Sequence, residues 1–72
     1  MHENVTIGVV IDGLREEIPA GTSLGQLLQE RDEPLKIAMI EHNGTVVPGK
    51  ELADVVLEDG DRVEVILPAF GG

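Results

Sequence analysis

Val5-Thr6-Ile7-Gly8-Val9-Val10-Ile11-Asp12-Gly13-Leu14-Arg15-Glu16-Glu17-Ile18 alternates apolar and other residues, turns, and alternates again. Val5, Ile7, Val9 and Ile11 are interleaved with Thr6, Gly8 and Val10, and a period of two puts one set on each face of a strand. Asp12-Gly13 between two such runs is the loop of a type I′ hairpin, because both residues tolerate positive φ. Leu14 to Ile18 is then the returning strand, with Leu14 and Ile18 on the face away from Arg15 and Glu17. Pro19 cannot donate to a ladder, so this strand is expected at a sheet edge.

Beyond the hairpin, Thr22 or Ser23 is placed to cap a helix, and Gln26 could complete a capping box with Ser23. Leu24, Leu27, Leu28 and the aliphatic stem of Arg31 share one helical face. Gly25 weakens that helix by about 1 kcal/mol relative to alanine, so the helix depends on packing. After Asp32-Glu33-Pro34, residues Ile37 to His42 predict a third strand. Asn43-Gly44 is a second hairpin turn, and Thr45 to Val47 form its short return. Pro48-Gly49-Lys50 breaks the chain. Glu51 to Leu57 then holds a turn or single helical turn, with Leu52, Val55 and Val56 available for burial. Glu58-Asp59-Gly60-Asp61 is a tight turn before a last strand, in which Val63, Val65 and Leu67 alternate with Arg62, Glu64 and Ile66. Pro68 stops it. The order β-β-α-β-β-turn-β predicts an α+β fold. A mixed four- to five-stranded sheet carries one helix across one face, in β-grasp outline. Residues 1–67 form the domain and 68–72 a flexible tail.

At 72 residues the chain holds one small domain, too small for a deep internal active site. Hydrophobic residues make up 42% and charged residues 26%, which fits a folded core and excludes a disordered polyelectrolyte. There is no cysteine, hence no disulfide framework, thiolate nucleophile or zinc–cysteine site. Fourteen acidic residues against five basic ones leave a net charge of −9. Nucleic acid and anionic membranes both require clustered Lys and Arg, so neither is an expected partner. No apolar run approaches the length of a bilayer span. Met1-His2-Glu3-Asn4 lacks a basic region followed by an apolar block, so a cytoplasmic protein is expected. Its charge favours solubility and steering toward a basic partner protein.

The catalytic constellations are weak. His2 and His42 are the two histidines, and neither has other ligands at metal-site spacing. Glu58-Asp59-Gly60-Asp61 lacks the alternate ligand positions and closing glutamate of a calcium loop and reads as a solvated turn. Glu16 and Glu17 are adjacent on a strand and point to opposite faces, so they cannot pair as acid and base. Thr6, Thr22, Ser23 and Thr45 have no positioned histidine. Neither catalysis by this chain alone nor a resident metal or cofactor is expected.

The other candidate is Pro68-Ala69-Phe70-Gly71-Gly72. Read plainly, terminal glycines are a frayed end. A Gly-Gly tail, however, threads a narrow channel and adopts φ values closed to other residues. Its carboxylate is unhindered, ionised at neutral pH and nucleophilic toward phosphorus. Extended, these five residues reach about 16 Å, enough to enter another protein's nucleotide site.

Asn43-Gly44-Thr45-Val46-Val47-Pro48, then Leu57-Glu58-Asp59-Gly60-Asp61-Arg62-Val63-Glu64-Val65, then Gly71-Gly72, resembles the ThiS family of thiamin-pathway sulfur carriers. The pattern is also similar to the MoaD family of molybdopterin synthase small subunits. The likeness covers nearly the whole chain, and its specificity lies in the order and spacing of pieces that are individually common. It implies a ubiquitin-like carrier, monomeric when free, whose Gly72 is adenylated by a ThiF/MoeB-type enzyme using ATP and magnesium. The product is a thiocarboxylate, consumed by thiazole synthase or by the molybdopterin synthase large subunit. Gly71 and Phe70 would present the terminus. Leu67-Pro68-Ala69-Phe70 leans toward MoaD-like tails, whereas length and the Asn-Gly…Val-Pro segment lean toward ThiS. Other readings are a protein modifier joined to lysine through the same glycine, and a regulatory β-grasp module with a similar Asp-Gly-Asp-Arg-Val-Glu turn.

Strand alternation carries a separate expectation. With Ile7, Val9, Val63, Val65 and Leu67 facing the helix, Val10, Ile40 and Ile66 would point to the opposite side of the sheet. A single helix leaves that side uncovered, so these three, with Phe70 at their edge, would form an exposed patch for a partner. Scattered exposed apolar residues without consequence are the plain alternative.

Overall fold

Two tight turns with paired positive φ angles fix the strand pairing. The computed structural model describes residues 5–69. Asp12 and Gly13 have φ of 49° and 85°, and Asn43 and Gly44 have 52° and 84°. These are type I′ signatures, whose twist matches that of the strands they join. The first turn links β1 (Thr6–Ile11) to β2 (Leu14–Pro19), and the second links β3 (Met39–His42) to β4 (Thr45–Val47). The last strand, β5 (Arg62–Ile66), enters between the hairpins, parallel to β1 and antiparallel to β3. The result is a mixed five-stranded sheet in the order β2-β1-β5-β3-β4, the β-grasp arrangement, with β2 at the edge as Pro19 requires.

Helix α1 (Leu24–Glu30) begins at Ser23, whose hydroxyl accepts the Gln26 backbone N–H at 3.0 Å. Thr22 instead donates its hydroxyl to the Pro19 carbonyl at 2.6 Å. Leu24, Leu27 and Leu28 are buried, and they share a core with Val9, Ile11, Ile18, Ile40, Leu52, Leu57 and Val63. The turn or single helical turn expected over Glu51 to Leu57 is a 3-10 helix that begins two residues earlier (Gly49–Asp54) and packs on α1. Gly25 explains that approach: a Cβ there would lie 3.3 Å from the Leu52 carbonyl carbon and the Ala53 nitrogen. The glycine that weakens the helix is what lets the two elements meet. Backbone bonds from Leu24 N–H to Val55 and from Leu57 N–H to Thr22 strap the start of α1 to the segment after the 3-10 helix.

Four expectations are corrected. Ile40 is buried on the helix side at 3% exposure, because its register partners in β5 and β4 are the inward-facing Val65 and Val47. The third strand starts at Met39, leaving Ile37 outside it and exposed. Val56 is exposed and Leu57 takes its place in the core, since the extended 55–57 segment turns alternate side chains inward. Leu67 is also exposed, because β5 ends at Ile66 before the helix-facing phase reaches it.

Candidate functional site: the open face of the sheet and the root of the tail

β5 is the central strand, so whatever follows it leaves from the middle of the sheet. Only Arg62 and Val63 are in register with β1, because the Asp12-Gly13 turn ends that strand. Past this point Asp12 substitutes for a strand neighbour: its carboxylate accepts the Val65 N–H at 2.9 Å. Ile66 has Met39 as its register partner on the β3 side. Leu67, Pro68 and Ala69 follow with no regular structure, all exposed. Phe70, Gly71 and Gly72, the residues expected to present and carry the chemistry, lie outside the described residues.

The face of the sheet away from α1 divides in two. Over β2 and β1 it is largely polar: the Arg15 guanidinium lies across Gly8, where a Cβ would collide with it, and Glu17 and Thr6 stand nearby. Over β5, β3 and β4 it carries Ile66, Met39 and Val46, exposed by 38%, 50% and 49%, around Glu64 and Glu41. Of the three residues expected on this face, Val10 and Ile66 are there and Ile40 is not. Val10 is half-buried and in register with Arg62, four residues before Ile66. At about 3.3 Å per residue the two are roughly 13 Å apart along the sheet. Val10 therefore belongs to the polar half, and the apolar surface at the tail root is Ile66 with Met39. Met39 escaped sequence reasoning because Ile37-Ala38-Met39-Ile40 is apolar throughout and its periodicity gives no phase. The one local signal was the charge of Glu41, which lies two residues along the strand and so shares the face of Met39.

The Asp59-Gly60-Asp61 turn is not simply solvated. Asp61 accepts the Glu58 N–H at 2.9 Å and the Asn43 side-chain amide at 3.1 Å, and its Oδ2 lies 2.7 Å from His42 Nε2. The Asn43 side-chain oxygen Oδ1 in turn accepts the Arg62 backbone N–H at 2.8 Å. Asp59 accepts the Gly8 N–H at 2.7 Å, and Gly60 N–H donates to the Gly8 carbonyl. The turn thus ties β5 to β1 on one side and to the second hairpin on the other. Burial alone would push the Asp61 carboxyl up. The His42, Glu58 and Asn43 hydrogen bonds, together with attraction to His42, outweigh it and hold the group below its ordinary value. Among the described residues no group of three or more His, Asp or Glu side chains is placed to hold a metal ion. No helix there is long and apolar enough to cross a membrane. A hollow of about 480 Å³ beside the end of α1 is lined by Gln29, Asp32, Glu33, Pro34, Leu35, Lys36 and Ile37, and the Glu33 carboxylate is paired with Arg31 at 3.3 Å.

Residues 6–72 match the ThiS family. Among solved structures, the chain is similar to the thiamine biosynthesis protein ThiS from Geobacter metallireducens. Identity there is 20% and the TM-score 0.80, over 92% of this chain and 100% of that one. It is also similar to a chain of the complex of subunits 1 and 2 of molybdopterin-converting factor from Helicobacter pylori. In that case identity is 26% and the TM-score 0.56, over 94% of this chain and 100% of that one. No curated protein matches the chain.

Proposed function

This chain belongs to the ThiS family of small sulfur carriers, and from that premise we propose that Gly72 is the residue on which sulfur is carried. The Gly72 carboxylate attacks the α-phosphorus of ATP in the active site of a ThiF/MoeB-type enzyme, expelling pyrophosphate and giving an acyl-adenylate. A sulfur nucleophile then displaces AMP, and the terminal carboxylate becomes a thiocarboxylate. The partner supplies ATP, magnesium and charge stabilisation. This chain supplies one unhindered acyl group and a body that docks beside it.

The observation that carries the reading is the central position of β5. From its last residue, Ile66, the exposed residues Leu67 to Ala69 lead on in sequence to Gly71-Gly72, and the family match continues through residue 72. The pathway we favour is thiazole formation for thiamin, supported by the family match and by the closer overlay on the Geobacter protein. Use by a molybdopterin synthase large subunit is the second reading, supported by the Helicobacter likeness. Incubating the chain with ATP, magnesium, a ThiF-type enzyme and sulfide tests the chemistry. Intact mass should rise by the replacement of one oxygen by one sulfur. An unchanged mass with an enzyme that loads its own carrier would refute it. Addition of thiazole synthase or of molybdopterin synthase large subunit then separates the pathways by which one consumes the thiocarboxylate.

A further inference from the structure

Glu41 of β3 and Glu64 of β5 are direct register partners on the open face of the sheet. Side chains so placed have Cβ atoms about 4.5–5.5 Å apart, and like charges in this relation repel. The ion pairs among the described residues join Arg15 to Glu17, Arg31 to Glu16 and Glu33, and His42 to Asp61, so none reaches this pair. Arg62 shares the face two residues before Glu64, but it forms no ion pair within 4.0 Å of either glutamate. On the β1 side Asp12 adds further negative charge, its carboxylate being occupied by Val65 N–H. Glu41 is half-buried, with Val46 as its partner in β4. Met39 and Ile66 form the next rung toward the tail. Two opposed carboxylates are thus held in an exposed apolar frame, and among the described residues neither is ion-paired.

We infer that this frame seats an arginine of a partner protein, its guanidinium bridging Glu41 and Glu64 and its stem lying on Met39, Val46 and Ile66. A guanidinium presents N–H donors along two edges and is weakly hydrated, so it can serve two carboxylates while its face and stem rest on apolar side chains. A lysine ammonium is a hydrated point charge that does neither well. A second copy of this chain is a poor occupant, since both copies carry a charge of −9, and nucleic acid is excluded by the same sign. The partner's identity rests on the carrier reading: it is the adenylating enzyme, which must dock beside the tail root to receive Gly72.

The free protein and the complex should respond to the glutamates with opposite signs. Glu41→Gln and Glu64→Gln remove repulsion, so each should raise the Tm of the free chain by roughly 1–4 °C or leave it unchanged. Each should also raise the Kd for a purified ThiF-type enzyme by about tenfold and flatten its salt dependence. Because one cation serves both carboxylates, the double variant should lose less or more than the sum of the singles. Wild-type chain should protect one enzyme arginine from phenylglyoxal, and the double variant should not. At saturating enzyme all variants should still form thiocarboxylate. A lowered Tm, an unchanged Kd, additive losses or no protected arginine would each overturn the inference, while loading by wild type would leave the carrier reading intact. A wild type that neither binds nor loads would remove both.

Discussion

Single residues decide two features of this fold. Asp61 is the first: it accepts a backbone N–H, a side-chain amide and a bond to His42, and it ties the last strand to the second hairpin. Asp61→Asn keeps the shape but turns an amide donor toward groups that all require an acceptor. A loss of about 1–3 kcal/mol is expected by urea denaturation. The same carboxyl is held below its ordinary value when folded, so folding favours its ionised form. Its contribution is complete above the unfolded value, near pH 4, and disappears as pH falls through the depressed folded value. Wild-type Tm should therefore drop more steeply below about pH 4 than that of Asp61→Asn. Parallel curves would show that the cluster stores no charge-dependent stability. Gly25 is the second. The position a Cβ would take there faces the Leu52–Ala53 backbone at the helix crossing, at 3.3 Å, so a branched side chain must push the 3-10 helix away. Gly25→Val should cost about 1–3 kcal/mol despite replacing a glycine in a helix. A stabilised variant would mean that the crossing adjusts freely.

At the scale of elements, what the sequence reveals depends on how local the determinant is. Both hairpins were readable because Asp12-Gly13 and Asn43-Gly44 adopt the turn geometry on their own residues. The helix was readable for a similar reason, since Ser23 and the Leu24-Leu27-Leu28 stripe lie within two turns. The phase of β3 was not readable from periodicity, because it is set by pairing with β5, more than twenty positions away. The His42–Asn43–Asp61 cluster has the same origin, joining residues 18 and 19 positions apart with no motif linking them. Of the candidate site, Ile66 was legible through the clean alternation of β5, whereas Met39 and Glu41 were hidden behind the misphased neighbour Ile40. The helix itself is only seven residues long and lacks charge complements in its terminal turns, so its stability comes from the fully buried Leu24 and Leu28. Leu28→Ala should cost about 2–5 kcal/mol, measured as a shift in the urea midpoint at constant slope. In a domain this small that is a large share of the total. A loss under 1 kcal/mol would indicate that the sheet and 3-10 helix close over the cavity.

For the whole molecule, the sheet separates two tasks: one face is closed by α1 and builds stability, and the other is left open beside the tail. Ile40 and Ile66 test that separation as a pair, being of one residue type and in adjacent rungs of β3 and β5 on opposite faces. Ile40→Asp places a carboxylate in the core among apolar neighbours with no counter-ion, and the domain should unfold. Ile66→Asp places the same group on an exposed surface, and circular dichroism and Tm should stay close to wild type. If the open face docks the adenylating enzyme, Ile66→Asp should nonetheless weaken that association by about 1–3 kcal/mol, the range of an interface anchor, because it replaces an apolar contact and adds charge beside Glu64. Thiocarboxylate formation would then fall at limiting enzyme and recover at saturating enzyme. Removing Gly72 should behave differently: the fold and the association persist, and no enzyme concentration restores loading, because the acyl group has been moved out of reach. A folded Ile66→Asp variant that binds and loads like wild type would show that the partner reaches the tail without using this face. Loss of loading that saturating enzyme cannot restore would place Ile66 in the path of the tail instead of on the docking surface.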